Sequence, residues 1–115
     1  ETTAMLRPGQ DDYFVIKPRH SAFYQTSLDL LLKYLKVRKL ILTGMAADMC
    51  VLFTANDAYL RELEVIVPGD CCAAESETYR RQSLDLIKRV LKADITPSTE
   101  LDLARIAGSP QPHLT

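Results

Sequence analysis

Residues 40–50 indicate how this chain folds. They read Leu40-Ile41-Leu42-Thr43-Gly44-Met45-Ala46-Ala47-Asp48-Met49-Cys50. A short continuous apolar run that ends at Thr43 and Gly44 is typical of a strand covered on both faces. From Cys50 onward, apolar residues recur at helical spacing as far as Leu63. The stretch therefore predicts a buried central strand over 40–42, a turn of small residues, and a helix that begins near Cys50.

Strands and helices alternate on both sides of this stretch. We predict further strands over 13–16, 64–67 and, from a weaker pattern, 93–95, with further helices from Thr26 or Ser27 to about Lys36 and from Ser76 onward. The alternation predicts an α/β fold: a three-layer α/β/α, Rossmann-like arrangement around an open, mostly parallel sheet with right-handed crossovers. We expect one domain over 1–107 and a polar tail over 108–115.

The composition excludes several classes of function. A net charge of -1 and scattered basic residues leave no basic surface for nucleic acid. The apolar runs are far shorter than the roughly 20 residues of a membrane span, so no membrane partner is expected. Residues 1–10 lack the apolar core of a secretory signal, which makes the cytoplasm the expected compartment. Cys71 and Cys72 are adjacent, and the spacing of the cysteines predicts thiols rather than disulfides or a metal site.

Cys50 is the candidate nucleophile. In open parallel sheets, ligands collect where strands end and helices begin, and the turn over 44–50 is such a place. A thiol in the first turn of a helix is favoured as thiolate, and the nearby amides can donate to an oxyanion. The position alone leaves a second interpretation open, in which Cys50 is a small buried apolar residue.

Other polar and aromatic residues have two interpretations each. Lys17 follows the predicted strand 13–16, so it should reach the same sheet edge as Cys50, although a solvated lysine is the plainer alternative. His20 is a candidate pocket residue. Phe23 and Tyr24 can stack on a planar substrate, but aromatic residues pack more often in the core. Three further expectations are structural: Asp57 pairs with backbone or arginine, Asp70 accepts from turn amides, and a solvated helix face carries Arg80, Arg81, Lys88 and Arg89.

Two motifs carry a family resemblance. The stretches Lys17-Pro18-Arg19-His20-Ser21-Ala22-Phe23 and Gly44 to Val51 occur in this order, and each is followed by matching single residues. Together they resemble the isochorismatase-like cysteine hydrolase family over 12–98. The single residues are Thr26 and Leu28 after the first motif, and Thr54, Asp57 and Ala58 after the second.

The resemblance implies a mechanism and a set of site residues. It implies Cys50 as nucleophile, Lys17 as the cation beside it, the amides of Ala46 and Cys50 as oxyanion hole, and a cis bond between Met45 and Ala46. Met45 is thereby a candidate pocket residue with His20 and Phe23. The implied reaction is hydrolysis of a C–N bond in a small amide through a thioester, without a cofactor, and nicotinamide, ureido and carbamoyl compounds all remain possible substrates. Homo-oligomers are expected.

The chain departs from the family pattern at its front. The family takes a catalytic aspartate from an N-terminal strand, and the members that bind a metal take its ligands largely from the same region, but no matching strand is found here. Asp11 and Asp12 precede the lysine segment and are not assigned this role. We expect an open sheet edge that is covered by residues outside this chain or by a partner. A catalytically incomplete homologue that acts by binding or oligomerisation is the alternative function.

Overall fold

The computed structural model describes residues 2–108 of the chain. Within them the strands are β1 (Lys39–Ile41), β2 (Gly44–Met45), β3 (Glu64–Ile66) and β4 (Cys72–Ala73). The α-helices are α1 (Thr2–Met5), α2 (Leu28–Tyr34), α3 (Leu52–Leu60), α4 (Glu77–Leu91) and α5 (Leu103–Gly108). A π-helical turn (Ala47–Val51) leads directly into α3, and two 3₁₀ turns occupy Gly69–Cys71 and Ser98–Glu100.

The strand pairings are parallel. β1 pairs with β3, with Leu40 opposite Val65, and β2 pairs with β4. A single parallel bridge joins Ile66 to Asp94, where the sequence predicts a short strand. Because parallel neighbours need a crossover, α3 lies in the connection from β1 to β3 and α4 in the connection from β3 to Asp94. The predicted α/β class is confirmed.

The core lies where α3 packs against β3 and where α4 packs against α3 and the π-helical turn. Ala55 and Ala58 of α3 and Ile87 of α4 are fully excluded from solvent. Alanines three residues apart share one helix face, and their small side chains allow the neighbouring elements to approach closely. Ala47 and Val51 of the π-helical turn belong to the same buried cluster, which fixes the start of α3.

The predicted strand over 13–16 is wrong. These residues form no ladder, and the side chains of Tyr13, Phe14 and Ile16 are 63%, 73% and 93% exposed. A strand needs a neighbour to pair its amides and carbonyls, and none of the strands within residues 2–108 lies beside this segment. Its β-branched and aromatic residues therefore do not suffice to make it a strand.

The prediction that 40–42 forms a buried central strand is also wrong. Its side chains are only partly covered, and Ile41 is 41% exposed. β1 has β3 as its neighbour on one side, and its other edge is unpaired within the part of the chain that the structure describes. β1 is therefore an edge strand here.

The helix predictions fare better, with differences at the ends. Ser76 caps α4 by accepting a hydrogen bond from the Tyr79 amide, as a serine at this position should. The helix predicted to reach Lys36 ends at Tyr34. Gly108, assigned to the tail, is the last residue of α5, and the rest of that tail, including His113, lies outside the described residues.

Among residues 2–108 there is no helix with the length and apolar character needed to cross a membrane.

Candidate active site

The turn that carries Cys50 is built from small residues between β2 and α3. Gly44 has a backbone φ angle of 123°, which residues with a Cβ atom rarely adopt. The Met45–Ala46 peptide bond is cis. Ala46 then caps the π-helical turn with an extended backbone, and Cys50 lies in that turn, partly exposed. The thiol is thus held where a helix begins, with Ala47 and Val51 beside it anchored in the core.

Lys17 lies against the thiol. Its ammonium nitrogen donates a hydrogen bond to Cys50 Sγ at 3.3 Å. The two residues are brought together although the strand predicted to carry Lys17 is absent. Other contacts therefore hold the lysine segment in place.

These contacts form a line along α3. Ser21 is buried and its hydroxyl donates to the Asp57 carboxylate, while the Ala22 amide donates to Thr54 Oγ1 at 2.9 Å. Asp57 also forms an ion pair with Arg61, at 3.6 Å. The expected structural role of Asp57 is therefore confirmed. Segment 17–23 lies along α3 from the thiol to Asp57, about two helical turns away.

A groove of about 370 Å³ runs between this segment and α3. The rings of His20 and Phe53 pack edge to face with their centroids 5.5 Å apart. This places His20 at the groove, although the sequence gives no reason to pair it with Phe53. The residues that line the groove are Arg19, His20, Ser21, Tyr24, Phe53, Asn56 and Asp57.

Two of the candidate pocket residues lie elsewhere. Phe23 is 5% exposed and packs in the core, with the Arg61 guanidinium 4.5 Å from its ring centroid. Its assignment to the pocket is wrong and the alternative, packing in the core, is confirmed. The hydrogen bonds of Ser21 and Ala22 hold the segment against α3 with Phe23 facing inward. Met45 is 71% exposed on β2 and is not among the residues that line the groove.

The sequence predictions did not include Arg19, Phe53 and Asn56 among the pocket residues, although all three line the groove. One signal could have identified them: Arg19 follows Lys17 by two residues, and Phe53 and Asn56 follow Cys50 by three and six. Phe53 and Asn56 therefore lie on the side of the helix that faces the lysine segment, and Arg19 lies in that segment.

The other two cysteines have different surroundings. Cys72 is buried, and this burial raises the pKa of its thiol. Cys71 is partly exposed and its Sγ lies 3.7 Å from the carboxylate of Asp70. Asp70 accepts hydrogen bonds from the side chain and the amide of Ser98, which lower the pKa of its carboxyl group.

In the part of the chain that is described, no three His, Cys, Asp or Glu residues lie close enough to hold a metal ion.

The basic face predicted for α4 needs one correction. Arg80 is half-buried rather than solvated, and its guanidinium donates to the carbonyl of Gly69 and to Glu77. It therefore ties α4 to the 3₁₀ turn that precedes β4. Arg81, Lys88 and Arg89 are exposed as expected.

Residues 1–99 match the sequence profile of the Isochorismatase domain. The chain belongs to the isochorismatase family. An uncharacterized isochorismatase family protein of Bacillus subtilis, YaaI, is 48% identical over 96 residues, which are 84% of this chain and 53% of that protein. This isochorismatase-family chain thus spans about half the length of that relative.

Two further similarities come from proteins with named activities. The crystal structure of N-carbamoylsarcosine amidase from Thermoplasma acidophilum matches with a TM-score of 0.75 and 35% identity, covering 84% of this chain and 54% of that one. Ureidoacrylate amidohydrolase RutB of Methylorubrum extorquens is 43% identical over 65 residues, which are 56% of this chain and 26% of that protein. Both named activities are hydrolyses of amide-type bonds.

Proposed function

We propose that this isochorismatase-family chain carries the nucleophile of an amidohydrolase, in which Cys50 attacks the carbonyl carbon of a small amide. The observation that carries the proposal is the hydrogen bond from Lys17 Nζ to Cys50 Sγ, at 3.3 Å. An ammonium group at this distance stabilises a thiolate, which is the nucleophilic form of cysteine. The partial exposure of the thiol leaves it open to a substrate.

The backbone beside the thiol provides the second part of the site. The first amides of a helix have no preceding helical carbonyl to bond, so they are suited to stabilise negative charge. Ala46 is the N-cap of the π-helical turn and Cys50 is its fourth residue, one before the Val51 amide that donates to the Ala46 carbonyl. We assign their amides to the oxyanion that develops when the carbonyl is attacked.

The proposed reaction has two steps. In the first, the Sγ–C bond forms, the carbonyl electrons move to oxygen, and the tetrahedral intermediate then breaks its C–N bond to release ammonia or an amine. In the second, water attacks the thioester carbonyl and the acid product leaves with regeneration of the thiol. Protonation of the leaving amine and deprotonation of water need a general acid and base.

The general base is not assigned to a residue of this chain. Within residues 2–108, neither Lys17 nor Cys50 forms a hydrogen bond or ion pair with an aspartate or glutamate. Asp12 instead accepts a hydrogen bond from the amide of Gly9. The relatives named above support the amidohydrolase class, and both of their substrate names denote compounds with a carbamoyl or ureido group.

Thiol reactivity tests the proposal. We expect iodoacetamide to modify Cys50 first, Cys71 more slowly and Cys72 last, as followed by mass spectrometry of the cysteine peptides. The physical reason is that an ammonium faces Cys50, a carboxylate faces Cys71, and Cys72 is buried. Replacement of the ammonium in Lys17→Ala should slow the modification of Cys50 by roughly tenfold.

A second lysine serves as the matched control. Lys33 is exposed on α2 and paired with Asp29, so Lys33→Ala should leave the rate at Cys50 unchanged. If Cys50 reacts no faster than Cys71, the catalytic proposal fails and the alternative of a non-catalytic binding or oligomer-forming homologue is favoured. Release of ammonia from a panel of small amides, abolished by Cys50→Ser, is the corresponding test of turnover.

A further inference from the structure

We infer that the groove beside Cys50 binds a carboxylate of the substrate through Arg19, so that the site selects carbamoyl or ureido compounds that also carry an acid group. Arg19 thereby acts as a specificity residue, which presupposes the amidohydrolase function proposed above. The inference is carried by the position of the groove, the charges that line it and its size.

The residues of both walls follow the Lys17–Cys50 pair along the chain, although neither Lys17 nor Cys50 lines the groove itself. On the α3 side, Phe53 and Asn56 follow the thiol by three and six residues, which on a helix corresponds to roughly 5 and 9 Å. On the other side, Arg19 follows Lys17 by two residues and lines the same space. A substrate whose carbonyl lies at Cys50 can therefore place a group a few bonds away in the groove.

The charges in the groove leave one cation without a partner. Asp57 lines the groove, but its carboxylate is paired with Arg61 and accepts from Ser21. His20 packs against Phe53. Arg19 is exposed and, within residues 2–108, makes no hydrogen bond, ion pair or cation–π contact. A guanidinium presents paired N–H donors that match the two oxygens of a carboxylate.

The rest of the groove suits a small organic acid. Its volume of about 370 Å³ is at the lower end of the range of small-molecule sites, which is roughly 300–1,000 Å³. Tyr24 and Phe53 are 48% and 43% exposed and offer flat apolar walls to the carbon skeleton. The exposed amide of Asn56 adds a neutral donor at the far end.

Two alkylating reagents that differ in one charge test the assignment. Iodoacetate and iodoacetamide both transfer a two-carbon group to sulfur and release iodide, but only iodoacetate carries a carboxylate. We expect Arg19→Gln to lower the rate of Cys50 modification by iodoacetate about three- to fivefold, the effect of a partly exposed ion pair, and to leave the iodoacetamide rate unchanged. Arg19→Lys should restore part of the iodoacetate rate, because it restores the charge without the paired donors.

Arg89→Gln is the matched control. Arg89 is exposed on α4 and makes no hydrogen bond or ion pair in the part of the chain described, so the substitution changes the net charge equally. Arg89 does not line the groove, and salt at an ionic strength of about 0.15 M weakens the effect of exposed charges outside it, so this variant should keep the wild-type ratio of the two rates.

The outcomes separate the two proposals. An unchanged ratio in Arg19→Gln, or an equal fall in Arg89→Gln, overturns the assignment of Arg19 while leaving the role of Cys50 intact. Slow modification of Cys50 by both reagents, at the rate of Cys71, overturns the amidohydrolase proposal itself. A selective fall with iodoacetate in Arg19→Gln alone supports the carboxylate subsite.

Discussion

Ser21 is the residue that ties the lysine segment to α3. Its hydroxyl donates to Asp57 and accepts from the Phe23 amide at 3.1 Å, and the side chain is 6% exposed. Removal of the hydroxyl takes this partner from the partly exposed Asp57 carboxylate and from the buried amide of Phe23. Ser21 therefore stabilises both the fold and the approach of Lys17 to the thiol.

We expect Ser21→Ala to lower the free energy of unfolding by about 1–3 kcal/mol, because it removes the hydrogen bond to Asp57 and leaves the buried Phe23 amide without this partner. It should also slow alkylation of Cys50, because Lys17 loses its support. Urea denaturation and the iodoacetamide rate measure the two effects. Ser27→Ala is the control, since Ser27 is an exposed N-cap whose side chain makes no capping bond. Equal stability of the two variants would contradict the role given to Ser21.

The individual site residues could be predicted from the sequence only in part. The family resemblance implied that Lys17 and Cys50 meet, and they do, although the strand expected to bring Lys17 there is absent. Phe23 stands in the same motif, and only the general preference of aromatic residues for the core favoured the inward position that it takes. The groove depends on contacts between segments more than 30 residues apart, such as Ala22 with Thr54, and single-residue preferences carry no information about these.

Among the helices, α4 shows how charged residues stabilise a first turn. Ser76 caps the helix, and Glu77 accepts hydrogen bonds from Arg80 and Arg81. These arginines lower the pKa of Glu77 from 4.5 to about 2, with Arg80 as the larger cause. A carboxyl group whose pKa is lowered by folding stabilises the folded state above its unfolded pKa, and this contribution is lost as the pH falls through the folded value.

We expect Glu77→Gln to destabilise the protein at pH 6. The destabilisation should become smaller as the pH falls from about 4.5, the pKa of an unperturbed glutamate, toward about 2, the pKa of Glu77 in the folded protein. The effect should be modest because Glu77 is exposed to solvent. Urea midpoints of wild type and variant across this range measure it. Glu75→Gln is the control, because Glu75 makes no hydrogen bond or ion pair within residues 2–108. A constant difference between Glu77→Gln and wild type at all pH values would contradict this origin of the effect.

The helices were easier to predict than the strands, for a physical reason. α4 is specified locally, by its cap and by apolar residues that recur over 15 positions. A strand is specified by its neighbour: residues 13–16 have the composition of a strand but no partner, whereas β2 and β4 have two residues each and pair with one another. Two residues are too few for any periodic pattern.

At the scale of the whole molecule, exposed apolar side chains cluster beside α2. Tyr13 and Phe14 form a groove of about 510 Å³ with Leu30 and Tyr34 of α2, and the exposed fractions of these four side chains lie between 63% and 79%. Contiguous apolar surface of this kind marks a region that another surface covers. The unpaired edge of β1 adds backbone groups that can pair with a further strand.

We expect the chain to self-associate through this apolar groove, because burial of aromatic and leucine side chains between two copies removes apolar surface from water. Sedimentation velocity from micromolar to several hundred micromolar protein should show an oligomer that grows with concentration. The double substitution Phe14→Ser and Tyr34→Ser should shift this equilibrium toward monomer, because it removes two rings from the groove. Tyr79→Ser, at a tyrosine that is 49% exposed on α4, is the control and should leave the equilibrium unchanged. A wild-type chain that is monomeric throughout, or a double variant that associates as strongly, would show that a second copy does not cover this face.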